Sequence, residues 1–106
     1  MQKSITRELW ECDDKKLIEL LICRKGGRTT IKIVDQILTQ PLNKNQIAKN
    51  INKDYHTVRY HLTIMCKHKY IVKEAIGKTY YYWPSKKLIN NMDTYNKIKE
   101  SINKEL

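Results

Sequence analysis

The stretch LNKNQIAKNINKDYHTVRYHLTIMCKHK, residues 42–69, carries the signals for two helices separated by a short turn. Asn43 suits the N-cap of the first helix, and Gln46 three residues later is close to a capping-box pattern. Asp54 follows the connector as a second N-cap, and Asn52 before it tolerates a left-handed backbone. The stretch therefore predicts a short helix, a tight turn and a longer helix.

The longer helix is amphipathic when its residues are spaced at about 100° around a helical wheel. Its polar and aromatic arc contains Tyr55, His56, Arg59, Tyr60 and Thr63. Its mostly apolar arc contains Val58, His61, Leu62, Ile64 and Met65. The pattern predicts that the second arc packs on the domain and the first faces outward. His61 is accordingly expected to be a packed, hydrogen-bonded core histidine.

Two further helices are predicted upstream, in DDKKLIELLICRK (residues 13–25) and RTTIKIVDQILTQ (residues 28–40). Asp13 or Asp14 begins the first one, where an anion suits the helix dipole. Gly26 and Gly27 break the chain between the two helices, and Pro41 ends the second.

The helical period changes downstream, where IVKEA (residues 71–75) and TYYYW (residues 79–83) are typical of strands. Gly77 between them favours a short β-hairpin, and Pro84 ends the second strand. Ser85 suits the cap of a helical tail, whose asparagines favour a division into two helices. Apolar residues of the tail form a seam compatible with a coiled coil, interrupted by Lys99: Leu88, Met92, Tyr95, Ile102 and Leu106.

Composition indicates one soluble domain with a polyanionic partner. The 106 residues have a net charge of +10, and residues 44–82 supply +6 of it from eight basic and two acidic residues. This concentration favours nucleic acid first and an anionic membrane second, against the alternative of a solvated lysine-rich surface. Neither a membrane-spanning run nor a signal peptide is visible, so a cytoplasmic location is expected.

Enzymatic and metal-dependent functions find little support in the sequence. A Gly-rich phosphate loop, GxSxG and HExxH are all absent, so we expect no enzyme, catalytic residue or cofactor. His56 and His61 lie about 140° apart on the wheel and cannot share a metal, whereas His61 and His68 align two turns apart and make only a weak metal case. The separated thiols of Cys12, Cys23 and Cys66 fit a reducing compartment, with a thiol sensor as the weaker alternative.

The segment NQIAKNINKDYHTVRYHLTIMCKHKYIV, residues 45–72, resembles the winged helix-turn-helix core of ArsR-like regulators, especially their archaeal relatives. The matching positions are Gln46-Ile47-Ala48, Thr57-Val58, His61-Leu62 and Ile71-Val72. The resemblance extends over residues 29–85 and implies a dimeric, DNA-binding transcriptional regulator with dimer contacts from the terminal helices. The Cys-x-Cys of metal-sensing members is missing, so no metal ligand is predicted.

The predicted fold is mainly α with a small β-hairpin, a winged helix-turn-helix. An N-terminal helical segment (residues 1–28) precedes the core (residues 29–85), and a helical tail (residues 86–106) follows it. The protein is expected to form a homodimer, whose subunit contact uses the tail and the helix around Leu17 to Leu21. Double-stranded DNA is the expected partner; the alternatives are docking on protein, through the strand TYYYW or the tail, and RNA binding. The predicted DNA-binding residues are Lys44, Asn45, Lys53, Tyr55, His56, Thr57, Arg59, Tyr60, Lys73, Lys78 and Thr79.

Overall fold

The protein is mainly helical, with one two-stranded antiparallel hairpin, in a computed structural model that describes residues 14–104. The elements in chain order are α1 (Lys15–Ile18), a π-helical turn (Glu19–Cys23), α2 (Gly27–Thr39), α3 (Lys44–Ile51), α4 (Tyr55–Lys67), β1 (Ile71–Ile76), β2 (Thr79–Pro84), α5 (Lys86–Ile89) and α6 (Met92–Lys104). Predictions made for Cys12, Asp13 and Leu106 lie outside the described residues.

The predicted caps of α3 and α4 are confirmed. Asn43 and Gln46 form a reciprocal capping box, with bonds of 2.8 and 3.0 Å between each side chain and the other residue's backbone N–H. Asn52 ends α3 in the left-handed conformation at φ 55°. Asp54 then accepts a bond from the His56 N–H and begins α4. Residues 52–54 therefore form the predicted tight turn.

The N-terminal helix begins at the Asp14 cap, whose carboxylate accepts a bond from the Leu17 N–H at 3.1 Å. Periodicity did not predict that this helix continues as a π-helical turn. Gly26 and Gly27 have different roles in the break between the two helices. Gly26 takes a left-handed φ of 88°, and Gly27 is already the first residue of α2.

The hairpin is confirmed with a two-residue loop. Ile76 pairs with Thr79, and Gly77 in the loop takes a φ of 67°. Pro84 is the last residue of β2, and the Ser85 hydroxyl accepts a bond from the Leu88 N–H to cap α5. The tail is divided into α5 and α6, as its asparagines suggested.

One apolar core includes buried side chains from all three predicted segments of the chain. Leu88, Tyr95 and Ile102 of the predicted tail seam are buried in this core, and Met92 packs against it. The side chains of the Leu17 to Leu21 helix that face the core are buried there too. The seam residues that the structure describes therefore pack within their own chain rather than forming a free stripe.

The Tyr95 side chain shows how firmly α6 is held. Its ring is fully buried, and its hydroxyl donates to the Asp35 carboxylate of α2 at 2.7 Å and lies 3.1 Å from the Ile31 carbonyl oxygen. Burial and the Asp35 bond raise the pKa of Tyr95, so the hydroxyl stays protonated. Within residues 14–104, no helix is both long and apolar enough to cross a membrane.

Candidate nucleic-acid interface

The outward face of α4 carries the side chains that the helical wheel assigned to it. Tyr55, His56, Arg59 and Tyr60 are exposed, the two tyrosines at 42% and 59% of their surface. Thr57 is half-buried at the edge of this face. The opposite arc is anchored in the core by its buried members: Val58, His61, Leu62 and Met65. This division gives α4 one packing side and one polar, aromatic side.

A second part of the site is a cleft of about 210 Å³ between the start of α3 and the hairpin loop. Lys44 and Asn45 line it from α3, and Lys78 and Thr79 line it from the hairpin. These four predicted site residues come from segments more than thirty positions apart in the chain. The structure thus brings together two sets that the sequence could only treat separately.

A backbone contact outside the hairpin explains why the hairpin lies beside the start of α3. The Tyr82 N–H donates to the Leu42 carbonyl at 2.8 Å, and the Leu42 N–H donates back at 3.3 Å. Leu42 immediately precedes the Asn43 cap of α3, so the bridge fixes β2 beside the first turn of that helix. The buried Tyr82 ring also lines the cleft. The hairpin is therefore docked on the helical layer.

Lysines connect the cleft to the neighbouring aromatic side chains. Lys44 Nζ lies 5.3 Å from the centre of the Tyr55 ring, which links the start of α3 to the start of α4. Lys73 Nζ lies 4.8 Å from the centre of the Tyr80 ring on the hairpin. Such cation–π contacts at exposed sites contribute about 0.5–1 kcal/mol each. They hold the ammonium groups near their rings while leaving them accessible to an anion.

Arg59 is exposed on α4, and its charge acts on Tyr82 of β2. Burial raises the pKa of the Tyr82 hydroxyl, and the nearby Arg59 charge opposes that rise. Lys53 is exposed in the turn between α3 and α4 and does not line the cleft. The predicted site residues therefore form one cleft, one helix face, a separate lysine in the turn and Lys73 on β1 beside the Tyr80 ring.

Behind the exposed face, His61 belongs to a buried polar cluster that sequence reasoning found only in part. Thr30 Oγ1 lies 3.2 Å from His61 Nδ1 and accepts a bond from the Arg24 guanidinium at 2.9 Å. The same guanidinium lies 3.3 Å from His61 Nδ1. A guanidinium can only donate, so the Arg24 contact favours the neutral ring with Nδ1 as the acceptor. The packed, hydrogen-bonded histidine is confirmed, but no spacing signal pointed to Arg24.

This cluster predicts acid sensitivity. Burial, and then the Arg24 charge, lower the pKa of His61 below its ordinary value of 6.5. As pH falls below about 6.5, the unfolded chain binds the proton first, so the folded state loses stability until the folded pKa is passed. We expect a loss of at most about 1.4 kcal/mol per pH unit in this window.

Chemical denaturation at pH 7.5 and 5.0 measures this loss, with His61→Gln as the comparison. The variant keeps a neutral polar side chain but cannot titrate, so its stability should change less between the two pH values. His56 and His68 remain in both proteins and cancel in the difference. Equal pH dependence of the two proteins would contradict the assignment to His61.

Thiol and metal chemistry have little geometric support in the described part of the chain. Between residues 14 and 104, no group of three or more His, Cys, Asp or Glu side chains is placed to hold a metal ion. Cys23 is exposed and Cys66 is half-buried. Burial raises the pKa of the Cys66 thiol, which reduces the reactive thiolate.

Comparison with known proteins adds no assignment to this geometry. No protein-family model matches the chain, and a search of curated proteins finds no significant match.

Proposed function

We propose that this protein is a sequence-specific regulator of transcription that binds double-stranded DNA through a winged helix-turn-helix, similar to ArsR-like regulators. In this proposal α3 and α4 are the helix-turn-helix, α4 reads the major groove, and the hairpin is the wing on the backbone. The observation that carries the proposal is the basic cleft joined to the exposed face of α4 through the Lys44–Tyr55 contact.

The size and chemistry of the α4 face suit a major groove. Thirteen residues at 1.5 Å per residue make a helix of about 20 Å, and the groove is about 12 Å wide. Arg59 is positioned in the middle of the exposed face and can donate two parallel bonds to guanine. Tyr55, His56 and Tyr60 flank it and supply further hydrogen-bonding groups for base edges or phosphates.

The cleft suits one phosphate of the DNA backbone. The first N–H groups of a helix lack intrahelical partners, and the dipole favours an anion there. Lys44 adds a charge at the start of α3, and Lys78 and Thr79 approach from the wing. Phosphate contacts of this kind set the position of a protein on DNA, while base contacts select the sequence.

Duplex DNA titrated across salt concentrations tests the proposal. If Lys44, Lys53, Lys73 and Lys78 each neutralise one phosphate, log affinity should fall against log salt with a slope of about −3.6, since each phosphate contributes about −0.9. Replacing Lys44 and Lys78 together by alanine should make this slope shallower by about 1.8. Fluorescence anisotropy of a labelled duplex measures both. Absence of binding at low salt, or binding insensitive to salt, would refute DNA binding.

Arg59→Ala tests base readout separately. Once a preferred site has been selected from random duplexes, the variant should lose about 1–3 kcal/mol on that site and less on random DNA. Lys67→Ala is the matched control, because it removes one exposed positive charge from the same helix at its far end. Equal losses of Arg59→Ala on both duplexes would exclude Arg59 from base recognition.

The hairpin supports a second candidate function, docking on another protein. Tyr82 of the aromatic strand is buried, but Tyr80 is 52% exposed, and β1 adds Val72 and Ile76 at 39% and 60%. A buried aromatic strand would favour DNA binding and an exposed one would favour protein docking, and this strand has both characters. RNA binding is a third candidate, and RNA of the same sequence in the titration distinguishes it from DNA binding.

A homodimer remains a prediction. Two half-sites about 34–36 Å apart, one turn of DNA, would suit a two-fold symmetric regulator. The apolar stripe that motivated the dimer is packed within its own chain in the described residues. The dimer contact would therefore have to use other surfaces.

A further inference from the structure

A groove of about 470 Å³ runs between α2 and α6, on residues that the proposed DNA contacts do not use. Ile31 and Ile102 form an apolar part of its lining, and each leaves less than a tenth of its surface exposed. Small-molecule sites in proteins commonly have about 300–1,000 Å³ and combine apolar walls with a few polar groups. The groove has the size and composition for a small amphipathic ligand.

The charges in the groove are unbalanced. Lys99 Nζ lies 3.1 Å from each oxygen of the Asp35 carboxylate, so the acid and its lysine largely neutralise each other. Arg28 and Lys32 also line the groove, and both are exposed. Neither makes an ion pair with another residue of the described range 14–104. The groove therefore has two positive charges available for a bound anion.

Folding does not explain why these two cations are there. Arg28 is in the first turn of α2, where the helix dipole disfavours a positive charge. Lys32 follows four residues later on the same face, where like charges repel each other. The unfavourable dipole interaction of Arg28 and its repulsion with Lys32 both oppose formation of α2. An anionic ligand would turn both into favourable interactions.

We propose that this groove binds a small molecule with one carboxylate and a short aliphatic chain. The carboxylate contacts Arg28 and Lys32, and the chain lies along the groove against the small apolar surface that Ile31 and Ile102 leave exposed. Arg28 can hold the carboxylate by two parallel bonds.

The ligand also regulates DNA binding, an extension that rests on the proposed function. Thr30, the neighbour of Ile31 on α2, lies 3.2 Å from His61 of α4. Farther along α2, Gln36 accepts a bond of 3.0 Å from Asn50 of α3. If α2 moves when the ligand binds, these two contacts transmit the movement to both helices of the proposed DNA-binding unit.

Isothermal titration of the full chain with octanoate, octanol and inorganic phosphate tests the site. Octanoate should bind at one site. Octanol lacks the negative charge and phosphate lacks the aliphatic chain, so each should bind at least about tenfold more weakly. Equal affinity for phosphate would show that charge alone is recognised and would overturn the proposal. Equal affinity for octanol, or no octanoate binding, would also overturn it.

A charge-matched pair of variants locates the site. Arg28→Ala with Lys32→Ala should weaken octanoate binding by about tenfold or more. Lys25→Ala with Lys97→Ala removes the same charge from exposed positions outside the groove and should leave binding unchanged. Circular dichroism confirms that both variants are folded. Equal weakening in the two variants would refute a site in the groove.

DNA titration with and without saturating octanoate tests the regulatory half. The ligand should shift the affinity of the wild-type chain for its selected duplex, and the groove variant should lose that shift. An unchanged affinity of the wild-type chain for DNA would refute regulation by the ligand. If the groove variant binds ligand-free DNA more weakly than its control, the groove itself contacts DNA, and regulation from a separate ligand site is refuted. Octanoate binding without any DNA binding would instead refute the proposed function alone.

Discussion

Replacing Tyr95 with alanine is expected to lower the free energy of unfolding by about 3–5 kcal/mol, the range for removing a large buried aromatic ring. The ring is fully buried between α6 and the rest of the core, and its hydroxyl donates to Asp35. Removing it leaves a cavity and separates α6 from α2. Urea denaturation followed by circular dichroism measures the loss.

Two controls divide this effect into its parts. Tyr95→Phe keeps the ring and removes only the hydrogen bond to the Asp35 carboxylate, so it should cost about 1.5–3 kcal/mol, the range for a bond to a charged group. Tyr60→Ala removes a tyrosine that is 59% exposed and should change stability by less than about 0.5 kcal/mol. A Tyr95→Ala protein as stable as Tyr60→Ala would show that α6 does not pack on α2. The tail seam would then again be available for a dimer.

The second large effect is expected at Gly27, where α2 begins against the preceding π-helical turn. A Cβ atom at this position would overlap the carbonyl oxygen of Leu21 and lie 2.6 Å from its carbonyl carbon. The obstacle is backbone and cannot rotate away. Gly27→Ala should therefore lower the free energy of unfolding by at least about 3 kcal/mol, the upper end of the usual cost of overpacking.

Gly77→Ala is the matched control for Gly27→Ala. Gly77 has a φ of 67°, and a Cβ there would meet no atom within 4 Å. Its substitution carries only the cost of a left-handed backbone, about 1–2 kcal/mol. Thermal and urea denaturation of both variants compare the two costs. If Gly27→Ala is no less stable than Gly77→Ala, close packing of α2 on the π-helical turn is wrong.

Much of the candidate site could be predicted from local signals. The α4 face followed from a wheel, because an amphipathic helix separates its packing arc from its solvent arc within a few turns. His61 was assigned to the core on the same basis, and its burial confirms that assignment. The cleft could not be predicted, because it depends on the bridge between Leu42 and Tyr82, forty positions apart. Arg24 was missed because it meets His61 across 37 positions.

The C-terminal tail shows what an apolar sequence pattern can and cannot predict. Its apolar spacing predicted a seam along the helices, and Leu88, Tyr95 and Ile102 of that seam are buried. The pattern could not say which surface covers that seam, because a partner subunit and the chain's own α2 present the same apolar chemistry. The contact between Tyr95 and Asp35, 60 positions apart, decides for α2 in the described chain.

The sequence by itself determined where elements begin and end and which side of each is apolar. Caps such as Asn43 and Asp54, the left-handed Asn52 and the hairpin Gly77 act within a few residues, so their effects can be read locally. The tertiary structure alone decided what each apolar side packs against and which basic residues meet. Those contacts depend on the competition among all buried surfaces at once, and apolar attraction has no direction that a sequence pattern could record.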